Sequence, residues 1–112
     1  MAHRIEKISE LVKHEIAKII FDEDFGAKTL VTVLDARVSP DGLHANVIYS
    51  VYPTAQGDWV SRKLASSIFD IQQLLNKRLN MRPVPKIRFV WDNTEEEGQK
   101  IEEAIARVKE EE

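Results

Sequence analysis

The fold is decided by residues 29–52, which read TLVTVLDARVSPDGLHANVIYSVY. β-Branched residues dominate the segments 29–38 and 43–52, as is typical of strands. Between these segments, Ser39-Pro40-Asp41-Gly42 places serine first, proline second and glycine fourth, which are the preferences of a type I turn. The sequence therefore predicts an antiparallel hairpin whose register follows from the turn.

Alternation along each strand predicts which side chains share a face, because successive side chains of a strand point to opposite sides. On the first strand, one face is expected to hold Leu30, Thr32, Leu34, Ala36 and Val38. On the second strand, one face is expected to hold Leu43, Ala45, Val47, Tyr49 and Val51.

A first helix is predicted from Arg4 to Phe21, because apolar residues recur there at spacings of three and four. They are Ile5, Ile8, Val12, Ile16 and Ile19. The stretch 22–26 follows with three acids, which oppose the dipole at a helix C-terminus, so a loop is expected. A metal site is the alternative for these acids, but no further ligand spacing supports it.

A second helix is expected from about Asp58, which can cap it, to about Leu79. Its apolar stripe consists of Val60, Leu64, Ile68, Ile71, Leu75 and Leu79. Ala65-Ser66-Ser67 lies in the middle, and serine hydroxyls compete for backbone hydrogen bonds, so a kink is predicted there. Two helices that meet at this point fit the sequence as well as one.

The remainder of the chain completes a mixed sheet. Asn80 is a candidate left-handed cap, and Arg82-Pro83-Val84-Pro85 forces extended backbone that ends the helix. Residues 86–91 alternate and predict a third strand, which should run parallel to the second because the chain returns across a helix. Thr94 and Glu97 form a capping-box pattern that predicts a short last helix.

Length and composition fit a single cytoplasmic domain. The chain has 112 residues, 43% hydrophobic and 31% charged, and no cysteine, which excludes disulfides and thiol chemistry. We expect one domain over residues 1–108 and a frayed acidic end over 109–112. No apolar run approaches the roughly 18 residues of a membrane span, and residues 1–4 lead into a charged segment instead of a signal-peptide core.

Nothing in the sequence predicts an enzyme. His3, His14 and His44 have no partner at motif spacing, and the four glycines form neither a Walker loop nor a dinucleotide fingerprint. We therefore expect no catalytic residue, no cofactor and no bound metal.

The charge is distributed unevenly, although the net charge is only −3. The segment from Arg62 to Arg88 has seven basic residues and one acid, a net charge of +6, and the remainder has a net charge of −9. A basic segment of this kind is the electrostatic footprint of a nucleic-acid-binding protein. A solvated charged face is the alternative interpretation.

The candidate RNA-binding residues come from this segment. A break at Ala65-Ser66-Ser67 would expose a helix N-terminus that favours an anionic oxygen, with two hydroxyl donors beside it. Alternatively, these small residues only allow close helix packing. The full candidate set is Arg62, Lys63, Ser66, Ser67, Lys77, Arg78, Arg82, Lys86 and Arg88.

The order helix, hairpin, kinked helix, strand resembles the type II KH-like fold, α-β-β-α-(kink)-α-β. In detail the chain resembles the ribosome-binding factor A family. The residues that carry this resemblance lie in the first helix, the hairpin, the small-residue kink and the third strand with its flanks: Arg4, Ile5, Ile8, Val38-Ser39-Pro40-Asp41-Gly42-Leu43, Ala45, Val47, Tyr49, Ala65-Ser66-Ser67, Leu79, Arg82, Pro85, Ile87, Phe89, Asp92, Gly98 and Ile101. The family has Ala-x-Gly at the kink, whereas this chain has Ser67 at the last position.

The resemblance implies a non-enzymatic assembly factor that binds 16S ribosomal RNA in immature 30S particles. It further implies support of late maturation, including 5′-end processing, and of growth at low temperature, by a monomer without a small-molecule substrate. The alternative is a protein-interaction module of the same fold that does not bind RNA directly and docks a partner on the sheet or on the acidic C-terminal helix. It predicts that charge reversal at Glu102 and Glu103 matters more than loss of the basic cluster.

Overall fold

The computed structural model describes residues 2–93, which form an α+β domain with a mixed sheet, as predicted. The elements are α1 (Ala2–Phe21), β1 (Leu30–Val38), β2 (His44–Tyr52), a 3₁₀ turn (Thr54–Gln56), α2 (Gly57–Arg78) and β3 (Lys86–Trp91). The expected last helix after Thr94 and the acidic end at 109–112 lie outside the described residues.

The sheet has the order β1-β2-β3, with β1 antiparallel to β2 and β2 parallel to β3. The predicted turn closes the hairpin: the Gly42 backbone N–H donates to the Ser39 carbonyl at 2.8 Å. Gly42 has a φ of +75°, a left-handed conformation that glycine adopts without steric cost.

The Asp41 side chain stabilises this turn through hydrogen bonds. Its carboxylate accepts hydrogen bonds from the Ser39 hydroxyl and from the Leu43 backbone N–H. Both bonds lower the pKa of Asp41, the bond from Ser39 more than the bond from Leu43, since both favour the charged carboxylate. The turn therefore supplies its own local hydrogen bonds and sets the hairpin register.

The predicted face of β1 is wrong over its first half because the strand contains a β-bulge. Val33 pairs with Tyr49, but Asp35 pairs with Ile48, so one residue of β1, Leu34, is extra. A bulge of one residue reverses the alternation. The β1 side chains packed towards the core are Val31, Val33, Ala36 and Val38, whereas Leu30, Thr32 and Leu34 are exposed.

The predicted face of β2 is confirmed for Ala45, Val47, Tyr49 and Val51, which are all buried. Leu43 is the exception, because it precedes β2 and is exposed. Ile87 of β3 is buried on the same side of the sheet, and Phe89 and Trp91 are partly buried against the core.

One hydrophobic core lies between the inner face of the sheet and the two helices, which also contact each other. The predicted stripe of α1 is confirmed, with Ile8, Val12, Ile16 and Ile19 buried. The stripe of α2 is confirmed as well, with Val60, Leu64, Ile71, Leu75 and Leu79 buried and Ile68 partly buried. The opposite face of α2 is thereby directed to solvent.

The two ends of α2 differ from the expectation. The helix starts at Gly57, whose N–H donates to the Thr54 carbonyl of the preceding 3₁₀ turn. Asp58 therefore lies in the first turn instead of the cap position, where its charge still favours the helix dipole. At the other end, Leu79 is extended, and among the described residues no non-glycine residue has a positive φ, so Asn80 is not a left-handed cap.

α2 continues without interruption through Ala65-Ser66-Ser67. The Ser66 hydroxyl donates to the Lys63 carbonyl at 2.8 Å, so it bonds within its own helix. The two-helix alternative is wrong, and no helix N-terminus with free N–H groups opens at this point. Such back-bonding is compatible with a bend inside a continuous helix.

Gln72 joins α2 to the edge strand β3. Its side-chain amide donates to the Pro85 carbonyl at 3.1 Å, and its side-chain oxygen accepts from the Ile87 backbone N–H at 2.9 Å. Pro85 and Ile87 are both buried. A single side chain therefore satisfies two polar groups where the chain enters β3.

Replacing Gln72 by alanine is expected to lower the free energy of unfolding by about 2 kcal/mol, because the Ile87 N–H and the Pro85 carbonyl lose their partner. Urea denaturation measures this change. The matched control is Gln73→Ala, which removes the exposed neighbouring glutamine and should change stability by less than about 0.5 kcal/mol. Equal stabilities for the two variants would contradict this role of Gln72.

Candidate nucleic-acid interface

The exposed side of α2 and the segment that follows it present most of the predicted basic residues. Arg62, Ser66, Lys77 and Arg78 of the helix are exposed, as are Arg82, Lys86 and Arg88 beyond it, while Lys63 and Ser67 are partly buried. The buried stripe of α2 fixes this orientation, because residues of a helix appear on its faces at about 100° intervals.

Lys77 and Arg82 line the same groove, at the C-terminal end of α2. The groove has a volume of about 1410 Å³, and Gln73, Asn76 and Asn80 add amide groups to its wall. Leu79 is buried at the helix end and so anchors the chain as it turns from the helix into the proline segment. This arrangement directs two cations and three amides into one open space, which suits a phosphate backbone.

A second groove, of about 400 Å³, lies between α2 and β3. Ala65 and Ile68 line it from the helix, and Lys86 and Arg88 line it from the strand. Ala65 is small and exposed, whereas Lys86 and Arg88 alternate with the buried Ile87 and so direct their side chains to the face of the sheet away from α2.

Tyr49 lies in the wall of this second groove and is 1% exposed. Burial raises the pKa of its phenol despite a hydrogen bond with the Ser61 side chain. The phenol is therefore protonated at neutral pH, and the groove wall carries no negative charge at this position.

Lys63 is directed towards the loop after α1 instead of either groove. Its ammonium nitrogen lies 5.0 Å from the centre of the Phe25 ring and 5.5 Å from that of Trp59. The two rings meet edge to face, with centroids 6.4 Å apart. These cation–π contacts hold Lys63 at the junction of α1 and α2.

Arg78 also faces α1. Its guanidinium lies 3.6 Å from the carboxylate of Glu15, which is in turn 3.7 Å from the Lys18 ammonium. The charge of Arg78 is therefore partly compensated within the protein. Within residues 2–93, neither Lys77 nor Arg82 has such an ion pair.

The structure thus brings Lys77 together with Arg82 in one groove, and Lys86 together with Arg88 on the face of β3 away from α2. Arg62 and Ser66 lie on the exposed side of α2, whereas Lys63 and Arg78 point towards α1. The basic segment is therefore divided among four places and does not form one continuous face.

Cations outside the basic segment adjoin these residues. Arg4 of α1 and Arg82 line a common cavity. In the strand register, Arg37 of β1 lies opposite Asn46 of β2, and Asn46 lies opposite Arg88 of β3. The three residues therefore align across the sheet. A count of charges along the chain cannot identify Arg4 as a neighbour of Arg82, because the packing of α1 brings the two together. For Arg37, only the register of the strands indicates that it lies near Arg88.

Residues 2–93 contain no group of three or more histidine, cysteine, aspartate or glutamate side chains placed to hold a metal ion. Neither described helix combines the length and the apolar character that a membrane crossing requires.

Comparison with known proteins gives a consistent result. The family model for ribosome-binding factor A matches residues 4–105. The ribosome-binding factor A of Halothermothrix orenii is 36% identical, with 97% of this chain and 91% of that protein covered. That of Caldanaerobacter subterraneus subsp. tengcongensis is 31% identical, with 100% and 94% covered.

Solved structures agree with the sequence comparison. The crystal structure of ribosome-binding factor A from Thermus thermophilus matches with a TM-score of 0.65 and 25% identity, covering 77% of this chain and 93% of that one. A homology model of the Thermus thermophilus factor, fitted into an electron cryo-microscopy map of its 30S complex, matches with a TM-score of 0.61 and 25% identity, over 70% of this chain and 85% of that one. The expected KH-like fold is confirmed, and the chain is a member of the ribosome-binding factor A family.

Proposed function

We propose that this protein binds the small ribosomal subunit through 16S ribosomal RNA in immature 30S particles. It then acts in late maturation, including processing of the RNA 5′ end, and supports growth at low temperature. The protein acts as a monomer in the cytoplasm and carries out no chemical step itself. Family membership and the 30S complex of the Thermus thermophilus factor support this proposal.

The observation that carries the RNA contact is the groove lined by Lys77 and Arg82. The protein as a whole is acidic, so two accessible cations that line one groove form a local basic surface. Such cations release counterions when they neutralise phosphates, which supplies most sequence-independent affinity for nucleic acid.

The other candidate residues have graded roles in this proposal. Lys86 and Arg88 extend the contact along the face of β3 away from α2. Ser66 and Ser67 lie on α2, where the Ser66 hydroxyl donates to the Lys63 carbonyl and remains available as an acceptor. Arg62 adds a cation at the other end of α2. Lys63 and Arg78 contribute at longer range, because aromatic rings and Glu15 already hold them.

Co-sedimentation tests the proposed partner. The protein is mixed with immature 30S particles or with mature 70S ribosomes, centrifuged through a sucrose gradient and detected in each fraction. We expect it to travel with the immature 30S particles and to dissociate as salt is raised. Exclusive association with 70S ribosomes would contradict a role in assembly.

A further inference from the structure

Phe69 is a large aromatic side chain that α2 presents to solvent. Its side chain is 70% exposed, although the helix buries the apolar residues of its opposite stripe. Within residues 2–93, no ring contact or cation–π contact involves Phe69. Trp59, the other exposed aromatic residue of α2, differs because Phe25 and Lys63 already contact its ring.

Phe69 lies in an exposed polar row on the helix. Arg62 precedes it by seven residues, which is about 20° away around the helix and about 10 Å along the axis. Gln73 follows about 40° away around the helix, and Lys77 about 80° away and about 12 Å along the axis from Phe69. The row leads directly into the groove in which Lys77 meets Arg82.

The surroundings of the ring favour one kind of partner. A protein-docking surface is usually a contiguous apolar patch, but the side chains one turn from Phe69 are mostly polar: Ala65, Ser66, Gln72 and Gln73. The cations Arg62 and Lys77 lie further along the helix on either side, and the exposed Asp70 lies about 100° away around it. The exposed Leu74 lies about 140° away around the helix. An isolated ring between cations is the arrangement with which proteins hold single-stranded nucleic acid, because bases stack on the ring while cations neutralise the phosphates.

We propose that Phe69 is a stacking platform for an unpaired nucleobase of single-stranded RNA that runs along α2 from Arg62 to Lys77. This inference rests on the proposed RNA binding and deepens it, because it adds a base contact to the phosphate contacts. A base-paired strand cannot use the ring, since its bases are already stacked on one another. The protein therefore selects an unpaired stretch of RNA.

The test uses a fluorescently labelled single-stranded uridine 12-mer and an abasic strand of the same length. We expect the wild-type protein to bind the uridine strand about 10-fold more tightly than the abasic strand, since stacking on one aromatic side chain adds roughly this factor or more. Phe69→Ala should remove this preference and leave affinity for the abasic strand, and the dependence on salt, unchanged. Urea denaturation of the variant checks that its fold is intact.

Two further variants separate stacking from simple apolar contact. Phe69→Leu keeps an apolar side chain and should behave like Phe69→Ala. Phe69→Trp keeps a stacking ring, should retain the preference for uridine, and should show quenching of the new indole fluorescence on binding. Full uridine affinity in Phe69→Leu would overturn the stacking role.

The remaining outcomes distinguish the two proposals. Salt-dependent binding with equal affinity of the wild-type protein for both strands overturns the role of Phe69 and leaves the proposed function standing. No salt-dependent binding to either strand overturns the proposed function itself, and the role of Phe69 with it. Loss of 30S co-sedimentation in Phe69→Ala with unchanged uridine binding overturns the RNA role of the ring in favour of a protein contact.

Discussion

Replacing both Lys77 and Arg82 by alanine is expected to weaken binding to small-subunit ribosomal RNA by about 10- to 100-fold at roughly 0.1 M salt. Each cation makes a charge-assisted contact to phosphate worth on the order of 1 kcal/mol or more. The slope of log affinity against log salt should also fall by about 0.7 to 1 per contact removed. Fluorescence anisotropy over a series of salt concentrations measures both quantities.

Two comparisons give this experiment its meaning. A Lys7→Ala, Lys28→Ala variant removes the same charge from exposed positions that do not line the groove, and it should bind almost as tightly as the wild-type protein. Arg78→Ala should have a small effect, because Glu15 already holds that guanidinium. If the groove and control double variants lose affinity equally, only net charge matters and the groove is not the contact.

Replacing Gly57 by alanine is expected to lower the free energy of unfolding by about 3 kcal/mol, the upper part of the range for overpacked sites. A Cβ atom at this position would overlap the Trp91 ring. The sign of this change in the free energy of unfolding is informative, because helix propensity alone predicts the opposite: alanine stabilises a helix relative to glycine. The melting temperature should fall by roughly 10 to 20 °C.

A double-mutant cycle isolates the cause. Trp91→Leu removes most of the ring that a Cβ at Gly57 would meet, so the double variant should lose less stability than the sum of the two single variants. The backbone of Gly57 is helical, with a φ of −56°, so backbone strain does not explain a loss. Additive effects would show that the ring contact is not what selects glycine here.

Much of the fold was predictable because the deciding signals are local. The apolar spacing of α1 and α2, the turn residues after Val38 and the alternation in β3 each specify one element, and the parallel return of β3 follows from the intervening helix. The bulge at Leu34 was not predictable, because an unbroken alternation along β1 does not show which of its residues will have no partner in β2. Likewise, the 3₁₀ turn before Gly57 shifts the helix start without any strong capping signal.

The candidate site was predictable in composition but not in arrangement. Charge counting finds Lys77 and Arg82, which the helix end brings together, but it cannot show that Arg78 meets Glu15 or that Lys63 meets two aromatic rings. Those contacts depend on how α1 and α2 pack. Charge counting does not identify Phe69, and an aromatic residue in a helix is more often part of the core. Only the exposure of Phe69 in the structure distinguishes it.

The hydrogen bond between Gln72 and Ile87 also bears on self-association. In an open three-stranded sheet, both outer strands offer unpaired backbone groups to a second molecule, and edge-to-edge pairing of this kind leads to domain swapping and aggregation. On β3 the glutamine occupies one such N–H, and on β1 the bulge at Leu34 interrupts the regular ladder. Each outer strand therefore carries one feature that hinders the addition of a further strand.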